Sequence, residues 1–182
     1  MKLTLRRFVT ATAILTLPCF ALAAPTIQFQ GEVTDQTCNV NINGDTNSVV
    51  LLPTVKTSDL ATNGESTGIT PFTITLSNCS GITSTKTVTT NFLGHSVITP
   101  SGILGNTATG SAAKNVGIQL LETADADPTA INLSGVTTAA STITLTSGEN
   151  SGSHIFGARY YATGVASAGK VTAVAEYTVS YN

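Results

Sequence analysis

The chain has 182 residues, of which only 10% are charged, with 8 Lys plus Arg against 10 Asp plus Glu. A formal net charge of −2 and a sequence pI of about 5.5 leave no basic excess for nucleic acid or an anionic membrane surface. Trp is absent and 33 residues are Thr, a composition that dresses exposed strand faces with hydroxyls rather than ions.

The first stretch, MKLTLRRFVTATAILTLPCFALAA, sets Lys2, Arg6 and Arg7 before a short apolar core and the small-residue site Ala21-Leu22-Ala23. That is the layout of a secretory signal peptide over residues 1–23, cleaved after Ala23, and its apolar run is too short to span a bilayer. Cys19 follows Pro18, where a lipobox needs a small residue, so it belongs to the discarded segment. Removing 23 residues leaves 159, enough for one domain with a core. Five basic residues then face 10 acidic ones, a net charge of about −5. No membrane insertion of the mature chain is expected.

Beyond residue 23 the pattern is strands and turns. TIQFQGEV alternates Ile27, Phe29, Gly31 and Val33 on one face; CNVNI reaches a turn at Asn43-Gly44, a strong hairpin signal, and SVVLL reads as the returning strand. PFTITLSNC puts Phe72, Ile74 and Leu76 on one side, and KTVTTNFLG, KNVGIQLLE, STITLTSG and SHIFGARYYATG follow. The Gly-, Pro- and Thr-rich pieces TPSGILGNTATGSAAKN and ETADADPTA read as loops, and a short helix is expected near Lys56 to Ala61. The last stretch has the cleanest period of two, with Val171, Ala173, Ala175, Tyr177, Val179 and Tyr181 on one face. These elements predict an all-β, antiparallel, immunoglobulin-like sandwich.

Cys38 and Cys79 are the pair remaining after residue 23, and in an exported chain they are most simply read as one disulfide, the alternative being two free thiols. Neither lies in a C-x-x-C, and no His cluster accompanies them, so metal and redox sites are not expected. His95 and His154 stand 59 residues apart, and GHSVI lacks the second Gly of a nucleophile elbow. Glu122, Asp125 and Asp127 fall in a Pro-containing loop, where a solvated turn is expected over a calcium site. No catalytic residue, cofactor or metal is assigned.

FQGEVTDQTCNV, PFTITLSNC, NVGIQLLE, FGARYYATG and AGKVTAVAEYTVSYN together resemble the major pilins of chaperone–usher, type 1-like fimbriae, in the family's order and over nearly the whole mature chain. The resemblance implies an incomplete sandwich lacking its last strand, with residues 37–182 as the pilin domain and 24–36 as an N-terminal extension that serves as donor strand. Ile27, Phe29, Gly31 and Val33 would enter a neighbour's groove. Val171, Ala173, Ala175, Tyr177, Val179, Tyr181 and Asn182 would line the groove and be read by a periplasmic chaperone, which the next subunit's extension replaces at an outer-membrane usher. Only Ala24 to Gln28 precede Phe29, fewer than is common in the family, so a short donor strand or a shifted register is expected. The implied function is a structural one: a subunit exported through the periplasm into a surface fimbria that supports adhesion and biofilm formation. The competing readings are a minor or adaptor subunit, and a self-complete secreted carbohydrate- or protein-binding sandwich.

Overall fold

The computed structural model describes residues 35–46, 48–135 and 138–182. Ten strands run β1 Thr37–Ile42, β2 Ser66–Ser80, β3 Lys86–Gly94, β4 Val97–Ile98, β5 Ile103–Gly105, β6 Val116–Leu121, β7 Ala130–Ile131, β8 Thr138–Leu145, β9 Gly152–Ala162 and β10 Ala175–Tyr181. The helix expected near Lys56 is a single 3-10 turn, Thr57–Leu60. No helix among the described residues is long and apolar enough to cross a membrane.

All strand pairings are antiparallel. One sheet has the order β1-β2-β9-β6-β5-β4, with β7 also on β6; the other is β10-β3-β8. The register follows the alternation of the sequence. Phe72 of β2 stands opposite Phe156 of β9, and Ile118 of β6 opposite Tyr160. Phe72, Phe92 and Phe156 meet as a trio, with Phe92 edge-on to both partners and Phe72 stacked on Phe156. Such aromatic contacts add to the area they bury. Around them Ile74, Leu104, Ile118, Leu120, Ile131 and Leu133 complete the main core. A second cluster, Leu76, Ile82, Val88, Ile143 and Leu145, closes the pole that carries the disulfide between Cys38 and Cys79.

Three expectations are corrected. The Asn43-Gly44 turn forms, with positive φ at both residues and Ile42 and Asp45 exchanging backbone hydrogen bonds of 2.8 and 2.9 Å. Its returning arm does not pair, however: Asn43 instead bonds Thr73 through both backbone and side chain, extending the β1–β2 ladder. Residues 48–52 leave the sheet as an extended segment with Val50 and Leu52 half-buried against the main core and Val49 and Leu51 outward. The final ladder starts at Ala175 rather than Val171, because Thr172 is held by Asn106 and Thr107, and Val174 by His95. Lastly, the stretches read as loops contain β5 and run into the first residue of β7, strands of two or three residues that are too short to show a period.

Candidate functional site: an open groove beside the last strand

Among the described residues, no strand closes the sandwich between the extended segment 48–57 and the chain from 166 to 175. A cavity of about 580 Å³ is walled by Ser48 to Leu52 on one side and Val171 to Ala175 on the other. Its floor is the main core itself: Phe72, Phe92, Leu104, Ile118, Leu120, Ala158 and Tyr160. A second cavity of about 490 Å³ continues it between Thr54 to Thr57 and Ala166 to Thr172, with Leu60, Ala113 and Val116 beneath and Tyr160 and Val171 shared by the two. Burial raises the Tyr160 phenol above its ordinary pKa of 10.0.

Hydrogen bonding shows why this gap has the shape of a strand. Thr172 O accepts from Thr107 N at 2.8 Å, Thr172 N donates to Asn106 Oδ1 at 2.9 Å, and Val174 O accepts from His95 N at 3.0 Å. Asn182 and Thr87 exchange backbone bonds of 2.9 and 3.0 Å. Even-numbered residues therefore aim their N–H and C=O groups at the β3 side, and by strand alternation the odd-numbered ones from Val171 to Val179 aim theirs at the groove. Among the described residues β10 is the edge of its sheet. On the opposite wall, residues 49–55 make no backbone–backbone hydrogen bond among the described residues. Among the described residues, two edges whose backbone groups find no backbone partner thus flank an apolar floor, an arrangement that favours pairing with a further strand.

The predicted groove residues divide along this line. Val171, Ala173 and Ala175 line the first cavity and face inward, while Thr172, Val174 and Glu176 face out. Tyr177 packs on the main core, and Val179 and Tyr181 pack on the cluster by the disulfide, where the Tyr181 hydroxyl accepts from Cys38 N at 3.0 Å. Asn182 ends the ladder on Thr87, its side-chain amide donating to Thr89 Oγ1 at 3.3 Å. Ile27, Phe29, Gly31 and Val33 lie outside the described residues.

Sequence reasoning missed the other wall, Ser48 to Leu52, whose short apolar run looks like the returning arm of a hairpin. It also missed the way the wall enters the groove. Gly169 passes so close to the 111–113 backbone that a Cβ there would lie 2.3 Å from Ala113 N.

The histidines and acids do not assemble a chemical site. His154 Nε2 donates to Glu122 O at 2.7 Å with Ser141 Oγ 3.4 Å from Nδ1, and exposed His95 pairs with Glu176 at 3.0 Å. Among the described residues no group of three metal-ligating side chains comes together.

Residues 27–182 match the family model described as "Fimbrial protein". The chain belongs to the fimbrial protein family. It is 41% identical to the F17 fimbrial protein of Escherichia coli over 159 residues, covering 85% of this chain and 86% of that one. With the type-1 fimbrial protein A chain of Escherichia coli strain K12 the identity is 34% over 190 residues and the whole of both chains. Among solved structures, the P pilus rod subunit PapA superposes with a TM-score of 0.57 at 17% identity, over 80% of this chain and 99% of that one, a likeness of fold. This fimbrial chain is accordingly an immunoglobulin-like sandwich in a family of structural subunits rather than enzymes.

Proposed function

We propose that the chain is a structural subunit of a surface fimbria and that its sandwich is completed by a strand from another copy. The observation that carries this reading is the groove: an apolar floor between two backbone edges. Segment 24–33 is the matching donor. Its apolar alternation, Ile27, Phe29, Gly31 and Val33, presents one face to the floor, and Gly31 supplies a position with no side chain where backbone must come close. Before polymerisation the same edge needs a temporary strand, the office of a periplasmic chaperone, with hand-over at an outer-membrane usher; the signal-peptide pattern of residues 1–23 supports export by that route. The resulting filament would serve adhesion and biofilm formation.

The test deletes residues 24–30 behind an intact signal segment. The shortened subunit should still be recovered with its chaperone but form no SDS-resistant ladder and no filament by electron microscopy. Ladders like the parent's would refute strand donation.

A further inference from the structure

The groove has one charged end. Lys56 and Lys170 line the second cavity, and Lys114 adjoins it, its N–H donating to the lining residue Ser167 at 2.9 Å (Oγ) and its carbonyl accepting from Ser167 N at 3.1 Å. These are three of the five basic residues that follow Ala23. All three are exposed, and none makes an ion pair among the described residues. The carboxylates of that end are engaged locally: Asp59 accepts from Ser58 Oγ at 3.2 Å and Glu65 from Thr62 N at 2.9 Å. Three like charges at the mouth of an apolar groove call for an acidic partner.

Segment 24–36 carries two charges, Glu32 and Asp35, both at its C-terminal end, behind the apolar alternation. Extended at about 3.3 Å per residue, residues 24–33 span about 33 Å, close to the length of the wall from Val171 to Tyr181. Laid antiparallel to that wall, the segment brings Glu32 and Asp35 out beside the lysines. Laid parallel, it brings them out at the Tyr181 end and leaves the lysines unmatched.

We propose that Lys56, Lys114 and Lys170 form an anchor for Glu32 and Asp35 of a second copy, and that this anchor sets the direction and register in which the donated strand enters. The inference rests on the strand-donation reading above.

The same chain's Asp35 cannot reach its own anchor. Asp35 lies three residues before Cys38, which sits with Tyr181 at the opposite end of the groove, and its carbonyl is within 2.8 Å of a Cβ placed on Gly81 there. At no more than about 3.6 Å per residue, Asp35 stays within about 11 Å of Cys38, short of the roughly 33 Å to the lysines even with both side chains extended. The anchor therefore rewards exchange between copies over insertion into the same copy.

Two measurements test it on the full chain. In filaments grown from mixed isotope-labelled and unlabelled copies, a zero-length carbodiimide should couple Glu32 or Asp35 to Lys56, Lys114 or Lys170 between copies. Coupling confined to Lys86, or absent from Glu32 and Asp35, overturns the anchor. Reversing the charges, K56E with K114E and K170E, should slow assembly about tenfold at low salt, the scale on which steering charges act. Adding E32K and D35K to the same chain should restore the rate. Assembly of the triple variant at the parent's rate overturns the proposal. If that happens while deletion of 24–30 still abolishes ladders, strand donation stands and only the anchor falls; if the deletion variant also assembles, both fall.

Discussion

Tyr160 reports on the groove through its own titration. It lies under both cavities, and burial holds its proton past the ordinary value of 10.0. A group that binds its proton more tightly folded than unfolded gives stability that is whole below the unfolded pKa and lost as pH rises through the folded one. Alkaline unfolding should therefore steepen above about pH 10, and Tyr160→Phe should flatten that limb in denaturant titrations at successive pH values. An unchanged limb would mean the phenol is not shielded. Two other side chains make one-atom tests. Thr90 is 0% exposed and its Oγ1 finds no partner among the described residues, so Thr90→Val should raise stability by about 1 kcal/mol. Tyr181→Phe removes the acceptor of the Cys38 N–H and should lower it by about 1 kcal/mol, read as a shifted urea midpoint at constant slope.

Among elements, the two groove walls make opposite demands on alternate residues. Ala173 faces the floor and Val174 faces out, 50% exposed. If a donated strand fills the groove as proposed, Ala173→Lys should put a long charged chain in its path and abolish the polymer ladder, while Val174→Lys should leave it within about twofold; equal effects would mean the wall is not read by a strand. The same alternation explains what could be read in advance. Phe72, Ile74 and Leu76 in β2 and the odd residues of the terminal strand announced their buried faces, and so the two sheets. A period of two says which face is covered, not which edge lacks a neighbour, so Val50 and Leu52 looked like the second arm of a hairpin although they form a groove wall. β4, β5 and β7 offer two or three residues each and carry no period at all. Lys56, Lys114 and Lys170 are spread over more than a hundred residues, and only the fold gathers them at one end.

For the whole molecule, the disulfide closes a separation of 41 residues, which by loop entropy stabilises the fold by about 4 kcal/mol. Its location matters as much as that figure. Cys38 lies in β1, an edge strand, at the point where segment 24–36 joins the domain; Cys79 lies in β2, the longest strand, held on both sides. Were segment 24–36 to link copies into a fibre, a pull on that fibre would enter each domain beside Cys38. Without the bridge, tension would peel β1 from the sheet edge one hydrogen bond at a time. With it, the load would pass through sulfur into β2 and be shared by two ladders in shear, and the 40 residues between the cysteines could not pay out. Stretching single fibres before and after reduction should show the difference as slack: each yielding domain should lengthen by about 150 Å more once reduced, at about 3.6 Å for each freed residue. If copies are linked in this way, the bridge would act as a tether at the domain's point of attachment, placed where a fibre under drag would otherwise unravel first.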